Sequence, residues 1–350
     1  MIIEVEINLD SHTVYPPVIY DWPVSTIGGY QVLIPGTPQK YNSTCIQNTL
    51  TSMQRGTRWV KFLSSHRQKK NRILRHAYWG VLPEGVQPVV GMTVKTGGPK
   101  KSHKRRKGVK PKGFELDGSE RIVEEFLAPI NAPLPPALYA VGLNYKKHAR
   151  EVKKETPRNP LTFLLATTSL VGHEQMVRVP KQAQNPMEVD FEVELGIVIS
   201  RACKNVSVED AMSYVLGFTV ANDISARRWQ GKKGGGQWSR SKSFDTFTPL
   251  GPCLLVPDEC DSLNGSALHL KLKTRVNDIE YQNSNTNDMI FNPAEIVSFI
   301  SQGTTLEKGT VIITGTPEGV GYTRDPPMFL KDGDVVEVRN EFDFVVIVGG

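Results

Sequence analysis

Cysteine is scarce in this chain: four in 350 residues, at Cys45, Cys203, Cys253 and Cys260, with no CxxC pair. A disulfide scaffold and a thiolate zinc site both rely on closely paired cysteines, so both are disfavoured and free thiols in a reducing compartment are expected. Long apolar runs are also missing. No stretch approaches the roughly 18 residues of a membrane-spanning helix, which excludes an integral helical membrane protein. The first residues carry Glu4, Glu6 and Asp10, so neither a secretory signal nor an acid-poor transit peptide is recognisable. The phosphate-cradling patterns GxGxxG and GxxxxGK[ST] are absent, which disfavours dinucleotide and Walker-type sites. There is no internal repeat. What is present is a globular balance: 39% hydrophobic and 22% charged residues, with 30 Gly and 24 Pro. At this length two domains fit.

The net charge of +6 is concentrated in one place. Residues 95–113 hold nine Lys/Arg and no acid, and without them the remainder carries −3. Such a run reads first as a solvated, disordered insertion, and second as a nuclear-import or anion-binding segment. It contains no aromatic residue on which a base could stack, which disfavours a nucleic-acid partner. It falls in an N-terminal region, 1–130, with a strand expected at Arg58–Leu63, a hairpin within 78–94 and a short helix or strand at Glu120–Phe126. Four prolines between 129 and 136 mark a stiff linker and a domain boundary.

From Leu138 onward, apolar strands, turns and short helices alternate closely. LYAVGLNY leads into the helix KKHAREVKKE; VDFEVELGIVIS and GFTVAND read as strands, and FNPAEIVSFISQ as an amphipathic helix with an Asn-Pro start. Many strands with few helices give an α+β, β-rich fold. In VDFEVELGIVIS, Phe191, Val193, Leu195, Ile197 and Ile199 share one face, and Asp190, Glu192 and Glu194 the other. Like charges on one strand face repel. Either the strand end is solvated, or a divalent cation that prefers oxygen ligands, Mg²⁺, Mn²⁺ or Ca²⁺, relieves the repulsion. Asp223 is either a helix N-cap or a third carboxylate of a site with open positions. His148 and Glu151, three apart on a helix, are either surface residues or an oriented imidazole base. GKKGGGQWSRSKSFDTF suggests a mobile loop over a site; Lys242, near its end, is either a surface lysine or a partner for an anionic substrate. TVIITGTPEGVG ends a strand in a Gly/Pro turn where Thr316 and backbone N–H groups could hold an oxyanion.

The order of these segments is far more specific than any one of them. GLNYKKHAREV, NPLTFLLATTSLVG, VDFEVELGIVI, GFTVANDISARRWQ, WSRSKSFDTFTPLGP, NTNDMIF and VIITGTPEGVG together resemble the fumarylacetoacetate hydrolase family from about Leu138 to about Val338. The resemblance implies a mixed β-roll catalytic domain at 137–350, a smaller N-terminal domain and a homodimer. It implies Glu192, Glu194 and Asp223 as ligands of Mg²⁺ or Mn²⁺, His148 and Glu151 on a lid helix, and Lys242 as the active-site lysine. Arg227, Gln230 and Thr316 fall where relatives contact substrate. The implied activity is metal-dependent cleavage of a C–C bond in an acylpyruvate-like or β-diketo acid through an enolate. Oxaloacetate decarboxylation, or isomerisation or hydration of a dienoic or oxo diacid, stands as the alternative on the same path. A reading from another class is a non-catalytic binding protein with a basic targeting segment. The expected location is the cytoplasm, with mitochondria and the nucleus left open. Four features depart from the family pattern: Leu164 and Leu165 where a Lys is common, Arg228 where an Asp is common, the C-terminal NEFDFVVIVGG, and the basic run.

Overall fold

The computed structural model describes residues 127–340 except 131–133 and 258–268. It also describes the backbone of strands at Val24–Ile27, Tyr30–Leu33, Gly56–Arg67, Ile73–Leu82, Thr93–Pro99, Phe114–Ile122 and Glu125–Leu127. Residues 100–113 of the basic run and the atypical C-terminus 341–350 lie outside the described residues. Lys95 falls in the strand Thr93–Pro99, which pairs with its neighbours on both sides. Val24–Ile27 and Tyr30–Leu33 form an antiparallel hairpin within the unit 1–53.

The strand Val193–Ile199 is apolar enough to be buried on both faces, and every one of its residues is buried. It therefore takes the interior of an eleven-stranded sheet. Val215–Asn222 flanks it on one side and Val311–Ile313 on the other, both antiparallel. Beyond Val311–Ile313 come Leu138–Gly142, in parallel, and Leu161–Leu165 at the edge. Beyond Val215–Asn222 comes Cys253–Pro257, which pairs with Gly56–Arg67 and so joins the strands from Gly56–Arg67 to Glu125–Leu127 to the same sheet. Alternation along the central strand separates two cores. Phe191, Val193, Leu195, Ile197 and Ile199 pack into one, as the period-two reading requires, and Val198 packs into the other. A second sheet joins Ile279–Asn285, Lys271–Val276 and Val336–Asn340 in that order, antiparallel throughout. The helix Pro293–Ser301 forms where the Asn-Pro start announced it. Asn292 accepts from Ala294 and Glu295 N–H, and Glu295 closes a capping box.

Two local expectations change. VDFEVELGIVIS is not one strand: Val189–Asp190 pairs with Ser225–Ala226, and the sheet strand restarts at Val193. The helix expected over KKHAREVKKE stops at Glu151. Lys153 has φ of +53°, a left-handed residue that ends the helix after six residues.

Candidate active site

Antiparallel pairing of Val193 with Asn222 sets Glu192 opposite Asp223, and the Asp223 N–H donates to the Glu192 carbonyl at 2.9 Å. Glu194 follows two residues on, so it returns to the same side. One carboxylate oxygen from each of Glu192, Glu194 and Asp223 lies within 4.8 Å of the other two, and all three residues are buried. The alternative of a solvated strand end is thereby excluded. The N-cap reading of Asp223 also falls, because the following helix begins only at Arg227, with Ala226 at its cap.

Two buried cations hold this carboxylate floor. Lys242 Nζ donates to Glu192 Oε2 at 2.6 Å, to Asp223 Oδ2, and to Ser225 Oγ at 2.7 Å. Arg227 Nη1 reaches Glu192 Oε1 at 2.6 Å, while its Nε donates to Asp190 Oδ2 at 2.8 Å. Burial opposes ionisation of Glu192, but the charges of Lys242 and Arg227 outweigh it and pull the carboxyl down to about 2. Asp223 shares only the lysine closely. There burial, reinforced by Glu192, wins and pushes the group up to about 6. Burial, then the charges of Asp223 and Glu192, raise Glu194 well above the usual range, although Gly315 N–H donates to it at 2.6 Å. Gly315 has φ of +96°, and a Cβ there would strike Asn144 and the Val141 carbonyl, so only glycine brings that N–H so close.

The donor set fits a divalent cation. With all groups ionised, the four carboxylates of Asp190, Glu192, Glu194 and Asp223 exceed the two cations by two negative charges. The Asp223 Oδ1 atom is buried with no hydrogen-bond partner. Buried orphan acceptors are expensive, and three oxygen donors with one unspent suit a hard ion.

A second cluster stands on the helix Lys146–Glu151. Asn144, fully buried, aims it. Its amide donates to the Phe291 and Thr314 carbonyls and its oxygen accepts from Phe291 N–H. His148 Nδ1 lies 2.8 Å from Glu151 Oε2. Glu151 Oε1 accepts from Gly319 N–H at 3.0 Å and from the Thr323 hydroxyl at 2.8 Å. Burial works to raise Glu151, but its hydrogen bonds to His148, Gly319 and Thr323 prevail and hold it below the ordinary value. A positive charge on His148 is felt at Glu192, so dyad and floor share one electrostatic neighbourhood.

The structure thus brings Glu192, Glu194, Asp223, Lys242 and Arg227 together, and His148 with Glu151. Gln230 serves Arg227, accepting from Nη1 at 2.8 Å. The Thr316 hydroxyl donates to the Val193 carbonyl at 3.0 Å and accepts from Gln282 at 2.8 Å. Arg228 points elsewhere, donating to the Asn185 carbonyl at 2.7 Å. Leu165 packs in the second core and Leu164 is exposed. The segment read as a mobile loop contains a helix, Trp238–Lys242, that delivers the lysine.

Several side chains that build the site escaped the sequence reading. Gln282 is fully buried with both ends of its amide used, towards Val193 N–H and Thr274 on one side and Thr316 and Pro317 on the other. Its strand, Ile279–Asn285, has too few apolar residues to signal itself. Ser225 and Asn144 gave no signal either; the Gly/Pro turn of TVIITGTPEGVG was read as offering backbone N–H groups to an oxyanion, and Gly315 and Gly319 give theirs to the carboxylates of Glu194 and Glu151. Asp190 was visible on the acidic face, but nothing there assigned it a partner.

The model of the family described as fumarylacetoacetate (FAA) hydrolase, C-terminal, matches residues 137–343. Oxaloacetate tautomerase fahd2, mitochondrial, of Xenopus laevis is 43% identical over 230 residues, 65% of this chain and 69% of that protein. Oxaloacetate tautomerase FAHD2A, mitochondrial, of Homo sapiens is 43% identical over 222 residues, covering 63% and 68%. Among solved structures, 2-hydroxyhepta-2,4-diene-1,7-dioate isomerase from Mycobacterium marinum is 31% identical, covers 83% of this chain and 97% of its own, and superposes with a TM-score of 0.62. Fumarylacetoacetate hydrolase from psychrophilic Exiguobacterium antarcticum is 29% identical, with 84% and 98% covered and a TM-score of 0.63. The chain belongs to the fumarylacetoacetate hydrolase family, with its α+β, β-rich fold.

Proposed function

We propose that this protein interconverts the keto and enol forms of a 2-oxo acid in a metal-dependent reaction, with oxaloacetate as the first substrate to test. The observation that carries this reading is the dyad. Glu151 accepts from His148 Nδ1–H, which leaves the Nε2 lone pair as the proton acceptor. Glu151 is itself fixed by Gly319 and Thr323. Glu192, Glu194 and Asp223 would hold Mg²⁺ or Mn²⁺, with Ca²⁺ a poorer Lewis acid in the same oxygen cage. When bound, such an ion withdraws electron density from the 2-oxo group and acidifies the neighbouring C–H. His148 Nε2 takes a proton from C3; the C–H electron pair becomes the C2=C3 π bond, the C2=O π pair passes to oxygen, and that oxygen takes a proton from the His148 imidazolium or from water. No atom is gained or lost. Lys242 and Arg227 keep Glu192 ionised throughout, Gln230 steadies Arg227, and Thr316 fixes the wall of the pocket through Val193 and Gln282. The relatives named oxaloacetate tautomerase support the substrate class.

The C–C cleavage expected from the family resemblance is the second reading. The likeness to a fumarylacetoacetate hydrolase favours it, and the same Nε2 could take its proton from water instead. We place the chemistry in the segment 137–350 and, following the relatives' names, the protein in mitochondria. Among the described residues no helix is long and apolar enough to cross a membrane. A homodimer is implied by the family and is read by analytical ultracentrifugation.

The test is to dissolve the enol form of oxaloacetate and follow its ultraviolet absorbance with Mg²⁺, with a chelator, and with Glu192→Ala. Decay accelerated only by the wild type with metal supports tautomerisation. If enol decay is untouched but acetylpyruvate is split, the second reading replaces it.

A further inference from the structure

The carboxylate floor and the dyad are joined by one polar chain, and Asp190 is its middle link. Asp190 is fully buried. Its Oδ2 accepts from Arg227 Nε at 2.8 Å and lies 2.7 Å from Nη2, and Arg227 continues to Glu192 Oε1 at 2.6 Å. On the other side Asp190 holds a turn by its backbone: Gly321 N–H donates to Oδ1 at 2.8 Å and Tyr322 N–H to Oδ2 at 3.0 Å. The Tyr322 ring covers the Arg227 guanidinium at 4.3 Å. The same turn grips the dyad, since Gly319 N–H and the Thr323 hydroxyl both bond Glu151 Oε1. Two glycines make this possible. A Cβ on Gly321 would collide with Asp190 Oδ1 and the Met328 carbonyl, and Gly319 has φ of +98° with the Tyr281 carbonyl against it.

We infer that Asp190 is a positioning residue: through the turn 319–323 it sets the place of Glu151, and through Glu151 that of His148, so that the dyad is held in register with the floor. An ion pair serving only stability would need Arg227 alone. Here the carboxylate also spends two acceptor sites on a turn whose other end binds a residue on a different element, 39 positions before Asp190 in the chain. The inference rests on the reading of His148–Glu151 as the proton-transfer pair.

Coupling of this kind is reciprocal, which gives a test that needs no substrate. Amide hydrogen exchange is followed by NMR on the full chain as wild type, Asp190→Asn and Glu151→Gln. Asp190→Asn should speed exchange about tenfold at Gly319, which bonds Glu151 and not Asp190. Glu151→Gln should speed Gly321 and Tyr322, which bond Asp190 and not Glu151. A coupling factor of roughly 5–150 is usual for linked sites. Amides of Ile296 and Val297, in the separate helix Pro293–Ser301, should keep their rates. Acceleration confined to each residue's direct partner overturns the inference, and so does equal acceleration in the distant helix. Should Asp190→Asn fail to fold, the Glu151→Gln arm alone decides, since that side chain is partly exposed. A kinetic arm separates positioning from general damage. Asp190→Asn should lower kcat with KM nearly unchanged, and adding it to Glu151→Gln should lower kcat no further, whereas independent effects would multiply. The exchange result stands even if keto–enol chemistry proves to be the wrong activity.

Discussion

Glu192, Glu194 and Asp223 stand at the ends of strands buried on both faces, while His148 and Glu151 stand on a helix of six residues whose Lys146, Lys147 and Arg150 are exposed. The floor is set by ladder register, which a neighbouring strand dictates residue by residue. The helix is too short to be stable by itself, and it keeps its place because Asn144 anchors its entry and the turn at 319–323 holds Glu151. On the proposed function, the contrast separates two duties. A cation needs several ligands at fixed separations, and strands supply that. A proton carrier needs one orientable imidazole, and a small tethered helix supplies that.

Replacing Glu192 by Ala should break the floor and have the largest effect. It removes a candidate ligand and leaves Lys242 and Arg227 short of an anion, so stability should fall by about 3–5 kcal/mol, the usual cost of breaking a buried pair. Turnover should fall by roughly a thousandfold, because Lewis-acid stabilisation is worth several kcal/mol; denaturant melts and Mn²⁺ titration measure the two losses. Glu151→Gln should strike only the other half. Turnover should drop by about 10²–10⁴, the range for general base catalysis, while Mn²⁺ affinity stays within about twofold.

The same contrast shows what the sequence made legible. Alternation in VDFEVELGIVI placed both glutamates on one face and the apolar residues in one core, and strand-end position made Asp223 a candidate, because period two is a local property. The pairing that sets Glu192 against Asp223 is not local, and nothing in one strand announces the partner or its register. Lys242 was visible as a residue and invisible as a fully buried one, since its burial depends on carboxylates 19 and 50 positions away. Gln282 and Asn144 work through buried amides, which leave no pattern in hydrophobicity or charge; the Gly/Pro turn was legible as a place where backbone N–H groups meet an oxyanion, but not that Gly315 and Gly319 spend theirs on Glu194 and Glu151.

Smaller changes refine the picture. A Cβ on Gly142 would run into the Trp238 ring, and Trp238 opens the helix that ends in Lys242. Gly142→Ala should therefore disturb the floor from outside, lowering stability by about 1–3 kcal/mol, as overpacking does, and turnover more than Mn²⁺ affinity. The smallest effect concerns pH. Glu151 titrates below its ordinary value of 4.5, so the folded state binds fewer protons than the unfolded chain in that range. Its bonds contribute stability that is complete above 4.5 and is lost as the pH falls through the lower folded value. Urea melts of Glu151→Gln should differ more from wild type at about pH 5.5 than at about pH 3.

The most direct measurement is deuterium wash-in at C3 of oxaloacetate in D₂O, followed by NMR for wild type and Glu151→Gln, each saturated with Mg²⁺. A floor that binds and a dyad that moves protons require rapid wash-in by wild type, abolished by a chelator, and little above the spontaneous rate in Glu151→Gln despite undiminished metal binding. Wash-in unchanged by Glu151→Gln, or lost only because that variant no longer binds metal, would contradict the division of labour between floor and dyad.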